Sequence, residues 1–488
     1  MAMEQTDQHA QLYADIEERS MAVLRANILP GTDLMVPHLE LFGGSMFLWD
    51  LAVQARAMAY EDPQLAAGNI VHFTSGQRKS GQIGNELSTG RVKPIAQQMV
   101  FGPAEDSREP GDHRPPTSHI TQPPTIVNAA YEVGQHLPED ERQQFYRHVF
   151  PKFKRYLSFL LNERTDPNDN LVILLHPYES GMDDTPPWRE KMHQAWHHDM
   201  PVSRQVAQNL ASAVVGEGRR RFTDGRYVPL EQRASNLDIL TSYLQTRALS
   251  KCKYDLECAQ RDPRIVLIKD IGFNAVLASA STALESMATQ IDDPDYVIDG
   301  DMQMRMYLQQ QAVIEELWDK STMTYYSKDA RTNELIPIQT VASLFPLLNK
   351  IPENHVAAIL TDLRAPGKFN GGYTSVPFNS KYFRPGVYWG GSKWAFAADL
   401  LEQGQVVQGR HKLAAAFRHQ DLTRPAEPFK AEYEHPITGE PLGGLGFAPM
   451  AAKDRIFVEH QKPTHNPNVS GILPAWSPQR FYKPPKRS

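Results

Sequence analysis

Cysteine is nearly absent from this chain. Its 488 residues include two, Cys252 and Cys258, which excludes a disulfide framework as the main source of stability. Lying six residues apart in a segment that reads as helix, the two would not share a face. They are therefore expected to be free thiols in a reducing compartment. Long hydrophobic runs are also missing: no stretch approaches eighteen consecutive apolar residues, which excludes a transmembrane helix. The start, Met1-Ala2-Met3-Glu4-Gln5, has no basic region followed by an apolar one, so no signal peptide is expected and a cytoplasmic location is. Basic excess is absent as well. The net charge of −6 argues against nucleic acid and against anionic membrane surfaces as partners. No strict repeat and no clear interdomain linker occur.

What is present is a large apolar fraction, 41 %, and helical periodicity over most of the length. Leu12, Ile16, Met21, Leu24 and Ile28 mark a helix over 6–27. Glu139, Asp140 and Glu141 open another over 138–163, where carboxylates suit a helix N-terminus. Similar patterns cover 201–214, 234–250, 266–290, 302–318, 339–348, 353–363 and 391–417. Strand signals are few and short, Leu171-Val172-Ile173-Leu174-Leu175 being the clearest. Long loops rich in Pro, Gly, Asp and aromatic residues separate the helices at 101–125, 176–190, 364–390 and 423–450. Loops this long are usually functional. The fold class is mainly α, and paired helices alternating with long loops are what a ring of helical hairpins produces. One domain is expected over 1–460, followed by a Pro-rich arm, 461–488.

Several loop segments combine carboxylates with aromatic rings, the pairing that suits sugar hydroxyls and the apolar faces of pyranose rings. The first is His176-Pro177-Tyr178-Glu179-Ser180-Gly181-Met182-Asp183-Asp184-Thr185-Pro186-Pro187-Trp188. Gly181 permits close approach to a ligand. An acidic loop capping the next helix would have the same composition. Glu432-Tyr433-Glu434-His435-Pro436-Ile437-Thr438-Gly439 is the second, and alone it reads equally well as a surface turn. Trp389 and Trp394 flank a glycine pair in the third, as a sugar platform or as packing under a loop. Trp49-Asp50 and Gln122-Pro123-Pro124 each precede an apolar helix, where capping is the competing explanation.

Taken together and in this order, the segments resemble glycoside hydrolase family 63, in particular its small bacterial members that act on mannosylglycerate or glucosylglycerate. The resemblance spans about 40–450 and implies an (α/α)6 toroid that inverts the anomeric centre. His176 to Asp183 is similar to the family's HPWESGMD, which places the general acid on Asp183. Glu432-Tyr433 with Pro436 and Thr438-Gly439 resembles EY-x-x-P-x-TG, which places the general base on Glu432. Trp49, Asp50 and Gln122 fall on residues that contact the sugar. Tyr388, Trp389, Gly391 and Trp394 fall on the pocket-lining YWRGPxW, and Tyr178 and Gly181 belong to the acid stretch. Asp270, Phe273 and Asn274 match a structural D-x-x-FNA pattern. There are departures. Gly390 stands where the family has arginine and Ser392 where it has proline. Tyr178 replaces a common Trp, and 446–451 lacks the usual Trp-Thr-Ala run. They bear on the substrate more than on the reaction class.

The implied function is inverting hydrolysis of a small α-glucoside or α-mannoside. Asp183 would protonate the leaving oxygen and Glu432 would deprotonate a water on the opposite face, the two carboxyls standing ~6.5–9.5 Å apart. Asp184 and Glu179 are rival acids and Glu434 the rival base. Lys393 and Arg384 are candidate partners for an anionic aglycone such as glycerate. No cofactor is called for. His193 and His197 have the i, i+4 spacing of metal ligands, but a helix end with histidines near its C-terminus explains them better and no metal is expected. Arg219-Arg220-Arg221 reads as a solvated patch. Two other functional classes compete: a carbohydrate-binding or regulatory protein on an altered hydrolase scaffold, and an epimerase or phosphorylase on the same toroid. Small carbohydrates are the expected partners, and self-association is compatible with the sequence.

Overall fold

Residues Leu48–Met58 form a helix in which all eleven positions are buried, charged ones included. A helix without a polar face needs enclosure on every side, and here a ring of helices supplies it. A computed structural model describes residues 2–42, 44–89, 114–222, 224–423 and 431–462. The helices in chain order are α1 (Ala2–Ala26), α2 (Leu48–Met58), α3 (Pro63–Ser75), α4 (Thr125–His136), α5 (Glu139–Glu163), α6 (Pro186–His193), α7 (Val202–Phe222), α8 (Asn236–Lys251), α9 (Leu256–Arg261), α10 (Ile271–Gln290), α11 (Gly300–Glu316), α12 (Glu353–Arg364), α13 (Ala395–Val407), α14 (His411–Leu422) and α15 (Ala448–Gln461). A 3-10 helix, Val341–Leu348, lies between α11 and α12.

Packing sorts these into two concentric layers. The inner elements meet side to side in the order α2, α4, α10, Val341–Leu348, α13, α15, and α15 returns to α2. Outside them, α1 packs on α15, α3 on α2 and α4, α5 on α4 and α10, α11 on α10, α12 on Val341–Leu348, and α14 on α13 and α15. Outer and inner elements alternate along the chain, which makes the fold an (α/α)6 toroid and meets the mainly α expectation. Helices α6–α9 are an insertion between outer α5 and inner α10.

Charges on the inner helices are paired with charges on other helices. Arg56 on α2 hydrogen-bonds both Glu132 on α4 and Asp399 on α13, all three being buried. Glu402 on α13 pairs with Arg418 on α14 and His460 on α15. Such ties join inner helices to one another and, through Arg418, to the outer layer.

Short strands fasten the loops at one end of the ring. β1 (Met46–Phe47) pairs with β2 (Glu86–Leu87), and β3 (Ile268–Lys269), β4 (Trp318–Asp319), β5 (Thr324–Tyr325) and β6 (Lys328–Asp329) form the ribbons β3–β6 and β4–β5. A three-stranded antiparallel sheet is ordered β7 (Lys393–Trp394), β8 (Ala431–Glu434), β9 (Pro441–Leu445).

Four expectations are corrected. Cys252 and Cys258 form a disulfide. Helix α8 ends at Lys251, and a turn through Lys253 and Tyr254, both at positive φ, folds the chain back so that the two Cα atoms lie 5.4 Å apart. The helical-spacing argument, and with it the ground for a reducing compartment, therefore does not apply. The stretch 391–417 is β7 followed by two helices, since Gln408-Gly409-Arg410 turns the chain between them. Likewise 266–290 begins as β3 before α10. Leu171–Leu175 is fully buried but is held by isolated bridges, Thr165 to Val172 and Leu174 to Ile268. The expected Pro-rich arm lies outside the described residues from 463 onward, as does most of 101–125. Among the described residues no helix is long and apolar enough to cross a membrane.

Removing one partner of a buried charge cluster leaves the others uncompensated. Arg56→Leu should therefore cost about 3–5 kcal/mol in urea unfolding. The deficit should shrink at low pH, where Glu132 and Asp399, both already held above the usual carboxylate range by burial, take up protons. A loss under about 1 kcal/mol would show the ring does not depend on this tie.

Candidate active site

The loop that carries Asp183 is built on a buried post. Glu179 is fully enclosed and accepts from Arg164 Nη2 (2.6 Å) and from the backbone N–H groups of Leu175 (2.7 Å) and Thr121 (3.3 Å). It is thus occupied as an anchor. His176 Nδ1 accepts the Tyr178 N–H (3.2 Å), which shapes the 3-10 turn Pro177–Ser180. At Gly181 the chain reverses with φ +73°, and a Cβ there would lie 3.0 Å from Trp49 Cε3. Only glycine lets the loop pass this close over the Trp49 ring. Asp183 emerges from that turn and accepts a hydrogen bond from the Tyr388 hydroxyl (3.1 Å). Burial pushes the Asp183 carboxyl up to about 7, with the charges of Asp184 and Glu432 adding to the rise and Tyr388 and Arg233 opposing it.

Glu432 lies on β8 and is 2 % exposed. Arg233 Nη1 donates to both of its oxygens at 2.7 Å, and the Gly444 N–H donates to Oε2 at 3.2 Å. Gly443, at φ +76°, leaves the room this needs: a Cβ there would stand 2.7 Å from Glu432 Oε2. The Arg233 guanidinium also lies 4.6 Å from the centre of the Tyr388 ring. Glu432, Arg233, Tyr388 and Asp183 therefore form one connected chain. Tyr388 adopts φ +32°, unusual for a residue other than glycine, and strain of this kind collects at functional sites.

The remaining sequence-predicted residues divide into those on the cavity and those behind it. Asp50, in the first turn of α2, is close enough to both carboxylates that Glu432 and Asp183 add to the effect of burial in holding its carboxyl well above the usual range. Gln122 accepts the Trp49 N–H with Oε1 (3.2 Å), joining the starts of α2 and α4. Tyr178 lines the same cavity as Asp183 and Tyr388. Trp389 and Trp394 are stacked 4.2 Å apart and buried, with Tyr433 against the far side of Trp394. They form the wall behind Tyr388. Gly391 packs on Phe383 and Arg384 in that wall. Of the rivals, Asp184 accepts from the Trp389 N–H (3.1 Å) and Arg384 (3.2 Å), and Glu434 is half-buried at the end of β8. Asp270 caps α10 through the Phe273 N–H (3.0 Å), and Asn274 donates to Val172 O (3.0 Å), the structural roles expected of them.

Sequence reasoning missed the cations. Arg189, Arg219 and Arg233 line the cavity that holds Asp183. Arg219 is 4 % exposed and donates to Ala234 O (2.8 Å) and Asn236 Oδ1 (3.0 Å), unlike the exposed Arg220 and Arg221. The patch reading therefore fails for Arg219. The run Arg219-Arg220-Arg221 carried no local signal for this, since three consecutive positions elsewhere on α7, Val202 to Arg204, are all exposed. Arg233 had none, sitting alone between Gln232 and Ala234. Lys393 sits on β7 and Arg384 pairs with Asp184, so the two basic residues picked from sequence do not line the cavity. His193 pairs with Asp238 (2.7 Å) and His197 with Asn209 (3.1 Å). Among the described residues no group of three His, Cys, Asp or Glu side chains could hold a metal.

The family model for the mannosylglycerate hydrolase MGH1-like glycoside hydrolase domain matches residues 45–448. A mannosylglycerate hydrolase of Thermus thermophilus is 30 % identical over 411 residues, 83 % of this chain and 92 % of that protein. A glucosylglycerate hydrolase of Mycolicibacterium hassiacum is 25 % identical over 460 residues, 87 % and 94 % of the two chains. Among solved structures, a family 63 mannosylglycerate hydrolase of Thermus thermophilus in complex with Tris and D-glycerate superposes with a TM-score of 0.75 at 23 % identity, over 90 % of this chain and 99 % of that one. A neutral trehalase of Saccharomyces cerevisiae shares the toroid at a TM-score of 0.53 and 13 % identity, over 92 % and 78 %. The fold, the ordered motifs and the matched span agree: this chain is a glycosidase and belongs to the mannosylglycerate hydrolase MGH1-like glycoside hydrolase family.

Proposed function

We propose that the protein hydrolyses an α-glycoside of glycerate with inversion, Asp183 acting as general acid and Glu432 as general base. The observation that carries this reading is the contrast between the two carboxyl groups. Asp183, buried and pushed up to about 7, can hold a proton at neutral pH, whereas Glu432 is the carboxylate partner of Arg233. Environments that differ in this way are what assign acid and base in a pair. In the reaction Asp183 gives its proton to the glycosidic oxygen as the bond to the anomeric carbon breaks. Glu432 takes a proton from the water that attacks the opposite face. Asp50 and Gln122, at the starts of α2 and α4, are placed to hold sugar hydroxyls. Arg189 and Arg219 make the aglycone side of the cavity cationic, and one nitrogen of Arg189 is buried without an acceptor. That favours an anionic aglycone over the second sugar of a neutral disaccharide.

Asp183→Asn and Glu432→Gln should each lower kcat by about 10²–10⁴-fold with the fold kept by circular dichroism. A wild-type rate from either removes that residue from the chemistry. Because the acid must be protonated, kcat/KM should fall as pH rises through about 7. A profile flat from pH 6 to 9 contradicts Asp183 as acid. Gly443→Ala should displace the Glu432 carboxylate and cost more than about 1 kcal/mol in chemical denaturation, since alanine resists positive φ. Proton NMR of the first product should show the β-anomer, whereas the α-anomer would mean retention.

A further inference from the structure

Gly390 is the position at which this chain departs from the family's YWRGP pattern, and the space in front of it is not empty. A Cβ on Gly390 would meet Arg384 Nε at 2.9 Å, Nη2 at 3.2 Å and Cβ at 3.3 Å. The guanidinium of a residue six positions earlier therefore fills the volume that a side chain at 390 would enter. The backbone supports this placement, since the Arg384 N–H donates to Gly390 O at 2.8 Å. From there Arg384 Nη2 reaches Asp184 Oδ2 (3.2 Å), and the Trp389 N–H holds the other oxygen, Oδ1 (3.1 Å). Asp184 is fastened to the Tyr382–Gly391 loop through both oxygens. Its two neighbours in that arrangement, Asp183 and Tyr388, are joined by their own hydrogen bond.

We propose that Arg384 is a positioning residue that replaces, from a different point in the sequence, the arginine missing at position 390, and that it fixes Asp183 by clamping Asp184. The inference rests on Asp183 being the acid. The clamp is also electrostatic. Asp184 faces Arg384 and Arg189 as cations, and Asp238 with its partner His193, the adjacent Asp183, Tyr388 and Tyr433 as the other titratable groups. Arg384 is thus one of two cations that hold down the Asp184 carboxyl against burial and Asp238.

The test is relocation of the guanidinium. Arg384→Ala should lower kcat by about 10²-fold, the scale of a small misplacement of a catalytic group, with KM little changed. It should move the alkaline limb of the pH profile downward, because Asp184 then protonates more readily and no longer raises Asp183. Arg384→Lys keeps a charge without the fork and should recover only part of the rate. The double variant R384A/G390R should recover most of it. A wild-type kcat in R384A, or a folded R384A/G390R no faster than R384A, overturns the proposal. Infrared titration of the carboxyl groups gives a reading without turnover: the Asp184 midpoint should rise in R384A and return in the double variant, and an unchanged midpoint overturns the clamp. If the wild-type protein hydrolyses no α-glycoside of glycerate, the proposed function falls while this titration still decides the clamp.

Discussion

The closure of the inner ring is the constraint on which the rest of the molecule depends. Each inner element is flanked by two others and backed by an outer helix, so it has no solvent side on which to discard polar groups. That is why α2 buries Asp50, Gln54 and Arg56 together with its apolar residues. It is also why Arg56 must find Glu132 and Asp399 on two different helices. The same closure leaves one set of helix N-termini gathered at one mouth of the ring. Asp50 lies in the first turn of α2, Gln122 stands just before α4, Trp394 is the N-cap of α13, and β9 leads into α15. Helix N-termini carry partial positive charge. A mouth ringed by them, with Arg189, Arg219 and Arg233 added, is where three carboxylates can be buried near one another.

Helical content was legible because outer helices such as α5 keep an apolar stripe that periodicity detects. Inner helices were harder, since enclosure removes the stripe. The beginnings of α10 and α13 were misread where short strands that fasten the site loops replace the first turn. The disulfide was invisible because it depends on where α8 stops, and a turn with two non-glycine residues at positive φ has no strong local signature. The site shows a similar division. Asp183 and Glu432 could be named because each sits in a long motif. Arg233, which touches one and stacks on the partner of the other, sits in no motif at all. It is 199 residues from Glu432 in sequence, and nothing short of the folded ring brings them together. Trp389 and Trp394 were legible as aromatic residues at the site, but their roles were not. Two indoles beside a glycine pair carry no sign in sequence that they stack on each other, as they do here.

The seam of the ring has a kinetic consequence. The contacts that close it join the two ends of the described chain: Asn27 Nδ2 donates to Gly446 O, and His38 is bonded to Leu445 O, across 419 and 407 residues. Contacts of such separation carry a large loop-closure cost before any stabilisation is returned, and topologies rich in them fold slowly. Five hairpins of a six-hairpin ring expose two apolar inner flanks that nothing else covers. Glu432 on β8 and Gly444 beside it lie next to Leu445 and Gly446, the residues that make this seam. Asp183 and Glu432 therefore stand near one another only in a closed ring. A chain caught before closure would be largely helical by circular dichroism, would present sticky inner flanks to its neighbours, and would lack a finished active site.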